Sequence, residues 1–308
     1  MTAIDAVPSP SPLDSASPPI VWKRTFVDDR AAGYAVAGRD DGLPVLLLHG
    51  WALGHNAYRG AIERLVRTGC RVLAPALPGF GGTPELAPAA ADLEGYARWV
   101  DGFCAAMGLV EPLVVVGHSF GGGVAIRLAH DHPERVRRLV LVNSIGGASW
   151  NAGSRVRSLA ERPLWDWGLH MQADIWPLRQ ATKVLPVILA DAVPNLLRNP
   201  RGLARVGAIA RKADLRAELV ALRERHVPIT VIWGRRDGVI PRESFDAMCT
   251  AVGATGTVVE GGHAWLLANP DDFLEVITND LEVAKTARAV ERQPRLRGRA
   301  RRQQQSDI

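Results

Sequence analysis

A pentapeptide of the form G-x-S-x-G, centred on Ser119, lies between a predicted strand and a predicted helix. The apolar run 113–116 precedes it, and the helix-compatible segment 122–130 follows it. A strand that turns sharply into a helix holds the central residue in a strained backbone conformation, and the residues two before and two after it must be small. Gly117 and Gly121 meet this requirement. The pattern therefore predicts that the Ser119 hydroxyl projects above the edge of a sheet.

An acid and a base that could activate this serine come later in the chain, each at the end of a predicted strand. Asp237 follows the strand predicted at 228–233, and His263 follows the next one, predicted at 256–260. A serine hydroxyl is too weakly acidic to attack an acyl carbon without a base, and an acid must orient that base. The order serine, acid, histidine is typical of such sites. We predict that Ser119 is the nucleophile, His263 the base and Asp237 the orienting acid.

Neighbouring residues have competing interpretations. Asp237 could instead pair with Arg235 or Arg236, but the alternative strand end at 139–144 supplies no carboxylate. His118 is expected to be structural, because at such a bend its side chain should point away from the serine hydroxyl.

Two backbone amides are expected to form an oxyanion hole for the charge that develops on the substrate oxygen. One is the amide of Phe120, the residue after the serine. The other is the amide of Trp51, in the loop after the strand predicted at 44–48, where Gly50 lets the backbone turn. His49 is expected to brace this loop.

Five motifs together resemble the α/β-hydrolase superfamily in order and spacing, over roughly residues 20–280. They are His49-Gly50-Trp51, Pro78-Gly79-Phe80-Gly81-Gly82, Gly117-His118-Ser119-Phe120-Gly121-Gly122, Gly234-Arg235-Arg236-Asp237 and Gly261-Gly262-His263. Two positions depart from the family pattern. Ala76 stands where a carboxylate usually braces the following loop. Ala264 stands where many relatives that cleave carbon–carbon bonds have tryptophan, and the indole comes one residue later, at Trp265.

Predicted strands and helices alternate along most of the chain. This alternation predicts an α/β fold with a mainly parallel sheet, covered by helices on both faces, whose site lies at the carboxyl edge of the strands. The first two strands are expected to be antiparallel. The strands are predicted at 20–27, 33–37, 44–48, 71–74, 112–117, 138–143, 228–233 and 256–260, and the helices near 57–67, 92–107, 121–130, 241–251 and 270–285.

The alternation stops at residues 146–225, between the core segments 20–145 and 226–285. This insertion after the sixth strand is predicted to form a helical cap above the site. Most tryptophans of the cap are expected to pack within it, and one or two to give the cavity an apolar wall. The candidates for contact with substrate are Trp165, Trp167 and Trp176 in the cap, together with Trp265.

Both termini are predicted to be disordered. The leader 1–19 is rich in Pro, Ser and Ala and does not resemble a secretion signal. The basic tail 286–308 is expected to solubilise the chain, with at most weak contact with an acidic surface. It lacks the aromatic residues that stack on bases, so no sequence-specific nucleic-acid partner is expected.

The rest of the composition limits the class of protein. No apolar run approaches the roughly 20 residues that span a bilayer. The three cysteines, Cys70, Cys104 and Cys249, are an odd and widely spaced set, which favours reduced thiols in a cytoplasmic protein. No cofactor or metal is expected, and the sequence predicts no particular oligomeric state.

Together these features predict a serine hydrolase that cleaves a carboxylic ester or related acyl compound with an apolar body. Serine in the pentapeptide argues against dehalogenase or epoxide hydrolase chemistry, because relatives with those activities have an aspartate nucleophile there. Three alternatives stay open: a carbon–carbon bond hydrolase of ring-cleavage products, a cofactor-free perhydrolase or lyase, and a non-catalytic receptor that keeps the fold for ligand capture.

Overall fold

The computed structural model of the chain describes residues 19–147 and 178–306. The strands are β1 Val21–Val27, β2 Arg30–Ala37, β3 Leu43–Leu48, β4 Cys70–Pro75, β5 Leu113–His118, β6 Val136–Val142, β7 Ile229–Gly234 and β8 Thr257–Val259. In the described residues they form one eight-stranded sheet, in the order β1-β2-β4-β3-β5-β6-β7-β8. Strand β2 pairs antiparallel with β1 and β4, and the other neighbours are parallel. The predicted mainly parallel sheet is confirmed.

Helices cover both faces of this sheet, as predicted. They are α1 Arg59–Arg67, α2 Leu93–Ala106, α3 Phe120–Asp131, α4 Leu178–Arg198, α5 Pro200–Lys212, α6 Arg216–Glu224, α7 Arg242–Val252, α8 Trp265–Ala268 and α9 Pro270–Ser306. Helices α1 and α9 pack on one face, and α2, α3, α6 and α7 pack on the other. Residues His55–Tyr58 form a short 3₁₀ helix before α1.

Alternate residues of β3 contact the two covering layers. Val45 and Leu47 pack with α1 and α9, whereas Leu46 and Leu48 pack with α2 and α3. A strand that is buried on both faces must be apolar at every position, which explains the uninterrupted apolar run in the sequence. Leu48 pairs with Gly117 of β5, so the loop after β3 lies beside the turn after β5.

The chain leaves the sheet after β6, and helices α4 and α5 return against the loop that follows β3. This position agrees with the predicted helical cap after the sixth strand. The predicted cap range 146–225 is too long, however, because α6 packs against α3 and α7. Leu219 and Leu222 of α6 are fully buried in the core. Helix α6 therefore belongs to the layer that covers the sheet.

The C-terminal segment also differs from the prediction. Helix α9 continues to Ser306, so the expected disorder from residue 286 is wrong for the part of the tail that the structure describes. Arg, Gln and Ala dominate this segment, and all three are strong helix formers. Arg288 is only 9% exposed, and its guanidinium donates to Glu111 Oε2 (2.8 Å) and to the carbonyl of Gly42 (2.7 Å). No helix in the described ranges is both long and apolar enough to cross a membrane.

Arg288→Ala is expected to lower the free energy of unfolding by about 2 kcal/mol, because it removes charge-assisted hydrogen bonds from partly buried acceptors. Arg292 contacts the same carboxylate of Glu111 but is 44% exposed, so Arg292→Ala should cost less than about 1 kcal/mol. Urea unfolding of both variants measures the difference. Equal stability of the two variants would show that α9 is not anchored through Arg288.

Candidate active site

Ser119 occupies a strained turn between β5 and α3. Its backbone angles are φ 53° and ψ −117°, outside the regions that residues with a side chain prefer. A Cβ atom on Gly117 would lie 2.6 Å from the carbonyl oxygen of Gly121, and one on Gly121 would lie 2.3 Å from that of Leu48. Both positions therefore require glycine, as the sequence pattern predicts. The amide of Ser119 donates to the carbonyl of Val142 at 3.0 Å and ties the turn to β6.

The structure brings Ser119, His263 and Asp237 into one hydrogen-bonded chain. His263 Nε2 lies 2.9 Å from Ser119 Oγ, and His263 Nδ1 lies 2.9 Å from Asp237 Oδ2. A carboxylate only accepts, so Nδ1 carries the proton and Nε2 is left to accept from the serine hydroxyl. The other Asp237 oxygen accepts from the amides of Val239 and Ile240, both at 2.8 Å. These bonds fix the carboxylate against the imidazole.

His118 connects the backbone of His263 to the loop after β3. Its Nε2–H donates to the carbonyl of His263 at 2.9 Å, and its Nδ1 accepts from the Tyr58 hydroxyl at 2.6 Å. The Tyr58 oxygen in turn accepts from the amide of Gly50 at 2.9 Å. Burial, with a smaller effect of nearby His263, lowers the pKa of His118 to about 3. Both nitrogens are thus engaged away from Ser119, as expected for a structural residue.

Asn143, at the end of β6, is a residue that sequence reasoning missed. Its Nδ2 donates to the carbonyls of Gly262 and His263, both at 3.0 Å, and its Oδ1 accepts from the amide of Gly234 at 3.0 Å. It has a positive φ of 45° and is fully buried. One amide side chain therefore joins the end of β7 to the loop that carries His263. The sequence signal for this role is an asparagine at a strand end, because its side chain can donate and accept at the same time.

A partly enclosed cavity lies over Ser119. None of its described lining residues is a lysine, arginine, aspartate or glutamate, so the polar side chains of the described lining are those of Ser119, the two histidines and Trp51. The lining residues are Gly50, Trp51, Leu53, His118, Ser119, Val239, His263 and Ala264. Such a lining is typical of a site for a small molecule with an apolar part.

Comparison with known proteins identifies the fold family of the chain. The family model described as alpha/beta hydrolase fold matches residues 44–190. The chain is 40% identical to a 2-hydroxymuconate semialdehyde hydrolase of Pseudomonas putida, over 82% of this chain and 93% of that protein. It is 30% identical to a pimeloyl-[acyl-carrier protein] methyl ester esterase of Aromatoleum aromaticum, over 76% of this chain and 96% of that protein. The chain belongs to the alpha/beta hydrolase fold family.

Solved structures of alpha/beta hydrolases share the fold. The enol-lactonase from Burkholderia xenovorans LB400 superposes with a TM-score of 0.69 at 20% sequence identity, over 84% of this chain and 100% of that one. At this identity the likeness extends to the fold alone.

Trp265 does not contact this hydrolase's cavity, contrary to the sequence prediction. It is 2% exposed, its indole N–H donates to Asn143 Oδ1 at 3.3 Å, and its ring packs edge-on against Phe273. Helix α8 begins at this residue and turns its side chain into the core, which leaves Ala264 at the cavity wall. The other predicted substrate contacts lie outside the described residues; they are Trp165, Trp167 and Trp176.

The two residues predicted to supply oxyanion amides flank Ser119 on separate segments. Phe120 is the first residue of α3, and the first amides of a helix have no acceptor within the helix. Its ring is buried and packs edge-on against Tyr96 at 5.0 Å. Trp51 lines the cavity, and its indole N–H donates to the carbonyl of Leu203 on α5 at 2.8 Å.

His49 braces the loop after β3, as expected. Its Nε2 accepts from the amide of Leu77 at 2.9 Å, so Nδ1 carries the proton and donates to the carbonyl of Gly50 at 2.9 Å. Burial lowers the pKa of His49 to about 3. The residue is therefore neutral at physiological pH.

The buried side chains of His49 and His118 should make the fold less stable in mild acid. In the folded chain His49 and His118 stay neutral down to about pH 3, whereas the unfolded chain binds protons below about pH 6.5. The free energy of unfolding should therefore fall between pH 7.5 and 5.5, by about 1 kcal/mol for each histidine. Urea unfolding at both pH values measures this, and His118→Asn should reduce the pH dependence. Stability that is constant or higher at pH 5.5 would contradict it.

A second cluster of titratable side chains lies away from this site. Asp101, His132 and Glu134 bring three possible metal-ligand atoms within 4.8 Å of one another. Asp101 already accepts a hydrogen bond from Arg135 Nε at 2.5 Å, and this guanidinium compensates the negative charge of the carboxylate. The cluster lies next to the start of β6, at the opposite edge of the sheet from Ser119.

Proposed function

We propose that this alpha/beta hydrolase is a serine hydrolase that cleaves carboxylic esters or related acyl compounds with an apolar body. The observation that carries the proposal is the chain of two 2.9 Å hydrogen bonds from Ser119 through His263 to Asp237, set in the wall of a largely apolar cavity. The esterase name of the 30% identical relative supports the same reaction class.

In the proposed reaction, Ser119 Oγ attacks the acyl carbon while His263 Nε2 takes the hydroxyl proton. Asp237 stabilises the imidazolium that forms and keeps its orientation. The tetrahedral intermediate collapses to an acyl-enzyme as His263 passes the proton to the departing alkoxide, which leaves as an alcohol. Water then attacks the acyl carbon, with His263 again as base, and the acid is released with Ser119 regenerated. The reaction needs no cofactor.

The amides of Phe120 and Trp51 are proposed to bind the oxyanion of both tetrahedral intermediates. A Cβ atom on Gly50 would lie 3.3 Å from Ser119 Cβ, so the backbone next to Trp51 runs directly beside the serine. The Phe120 amide opens α3, where the helix dipole favours a negative charge. Loss of one such donor typically costs about 10² to 10³ in kcat.

The ester panel that tests this proposal compares neutral esters of short, branched and aromatic acids with esters that carry a carboxylate. Turnover that depends on Ser119 supports a serine hydrolase. We expect neutral esters to be preferred, because no described residue of the cavity lining is a cation that would pair with a carboxylate. If the wild-type protein hydrolyses no ester of the panel, or if Ser119→Ala hydrolyses the esters as fast as the wild type, the proposal is contradicted. The first outcome would favour a ligand-binding role.

A second candidate is carbon–carbon bond hydrolysis of a ring-cleavage product. It rests on the 40% identical relative, which is named as a hydrolase of 2-hydroxymuconate semialdehyde. This compound is not an ester. Two observations weigh against it: the absence of a lysine or arginine from the described lining, and Ala264 after His263. Loss of the absorbance of 2-hydroxymuconate semialdehyde at a rate above that of every ester would favour it.

We also infer a cytoplasmic location. Cys70, Cys104 and Cys249 are free thiols in the structure, and burial raises the pKa of Cys104 to about 12. Cys70 and Cys104 are buried and Cys249 is partly buried. Free thiols of low reactivity fit a reducing compartment.

A further inference from the structure

The cap is bonded directly to the loop that carries Trp51. Asp191, on cap helix α4, is 9% exposed, and its Oδ2 accepts from the amides of Gly54 (2.9 Å) and Ala57 (3.1 Å). The carboxylate therefore binds the start of the 3₁₀ helix His55–Tyr58 across 137 residues of sequence. Hydrogen bonds from amides to a buried carboxylate are among the strong ones in proteins.

Asn195 makes the same connection one helical turn later, on the same side of α4. Its Nδ2 donates to the carbonyl of Ala52 at 2.9 Å, and its Oδ1 accepts from the amide of Gly81 at 3.0 Å. The side chain is nearly completely buried, at 4% exposure. It thereby holds two loops at the carboxyl edge of the sheet, one of which carries the proposed oxyanion donor.

The residue that Asn195 holds is strained. Ala52 has a φ of 65°, in the left-handed region that costs a residue with a side chain on the order of 1 kcal/mol or more. Such a conformation persists only where the surroundings enforce it. Ala52 directly follows Trp51, so a change in its conformation would redirect the Trp51 amide.

The remaining contacts divide the loop between body and cap. On the body side, Gly50 donates to Tyr58 and receives the Nδ1–H of His49. On the cap side, the carbonyl of Ala52 and the amides of Gly54 and Ala57 are bonded to α4. Trp51 lies at the boundary, and its indole is bonded to α5.

We propose that Asp191 and Asn195 are positioning residues through which cap helix α4 sets the geometry of the oxyanion hole. The inference rests on the proposed function, because it assigns the Trp51 amide a role in the reaction. It gives the cap a second role besides substrate selection: the cap affects the rate even for an ester too small to contact it.

The isosteric change Asn195→Asp tests this proposal. The carboxylate still accepts from Gly81 but cannot donate to Ala52, whose carbonyl it would repel. We expect kcat on a small ester such as an acetate to fall about 10- to 100-fold, because displacing an oxyanion donor by about 1 Å is enough for such a loss. KM should change by less than about threefold, since the proposed donor acts on the transition state.

Arg205→Gln is the matched control. Arg205 on α5 bonds Glu85 at 2.7 Å, which links cap and body without involving the loop around Trp51. This variant should retain kcat.

Asp191→Asn is the second test variant. It keeps the size of the side chain but removes the negative charge to which two amides donate, so kcat should also fall. Circular dichroism and thermal unfolding establish that each variant is folded at the assay temperature.

A transition-state analogue distinguishes a displaced oxyanion donor from a general loss of order in the active site. The affinity of a trifluoromethyl ketone, which forms a tetrahedral adduct with an oxyanion, should weaken in Asn195→Asp in proportion to kcat/KM, while the affinity of a planar methyl ketone should not. Unchanged kcat in folded Asn195→Asp, or an equal loss in Arg205→Gln, overturns this inference alone. Wild-type protein with no Ser119-dependent turnover overturns the proposed function, and the inference with it.

Discussion

Ser119→Ala is expected to lower kcat for ester hydrolysis on the order of 10⁶-fold, because serine and histidine act as one unit and either alone achieves little. The hydroxyl is bonded to His263 Nε2 at 2.9 Å and is the only group proposed to attack the acyl carbon. The fold should be unaffected, because alanine and serine both carry a Cβ atom and are equally strained at a φ of 53°. Initial rates on a chromogenic ester, with circular dichroism of the purified variants, measure the effect.

Ser144→Ala is the matched control for this variant. Ser144 is also buried, at 3% exposure, and its hydroxyl donates to the carbonyl of Ile145 at 2.7 Å. Removing this hydroxyl should leave kcat within about tenfold, since it takes no part in the proposed reaction. A Ser119→Ala rate within tenfold of the wild-type rate would end the serine-hydrolase account.

Asp237→Asn is expected to lower kcat about 10⁴-fold, with the fold intact. The asparagine oxygen can still accept from the amides of Val239 and Ile240, so its NH₂ group faces His263 Nδ1. Nδ1 must then accept, which moves the imidazole proton to Nε2 and leaves no acceptor for the Ser119 hydroxyl. The loss should appear in kcat and little in KM, because the substrate does not contact this carboxylate.

Asp246→Asn makes the same chemical change on the surface of α7, where the side chain is 52% exposed and pairs with Arg242. It should leave kcat unchanged. Near-normal turnover by Asp237→Asn would mean that another acid orients His263, and a loss in both variants would mean that the effect is not specific to this contact.

The sheet and the turn at Ser119 could be predicted because local constraints decide them. A strand buried on both faces must be apolar throughout, as Val45 to Leu48 are. Gly117 and Gly121 are required because any Cβ there would collide with the backbone. The approach of Ser119, Asp237 and His263 follows from the parallel sheet, in which strand ends from distant parts of the chain meet at one edge.

The interactions that support the site could not be predicted, because they join segments that are far apart in sequence. Nothing near Asn195 indicates that its side chain bonds Ala52, 143 residues earlier. Asn143 was overlooked because its role is to hold backbone rather than to ionise. The orientation of Trp265 could not be predicted because it depends on the exact residue at which the short helix α8 begins. A shift of one residue would exchange the positions of Ala264 and Trp265 between the cavity and the core.

The continuation of α9 was missed for a related reason. The segment after residue 285 is strongly basic and contains Pro294, Gly298 and three consecutive glutamines, which together predict disorder. The burial of Arg288 against Glu111 supplies the anchor, and only the folded body brings these two residues together.

Covalent labelling tests whether Ser119 is an activated nucleophile. Wild-type protein is incubated with a fluorophosphonate, which reacts with a serine only when a base has activated it, and the labelled peptide is mapped by mass spectrometry. We expect one label per chain, on Ser119, with parallel loss of ester hydrolysis, and no label on Ser119→Ala. Ester hydrolysis that persists in fully labelled protein, or a label that maps to another residue, would contradict it.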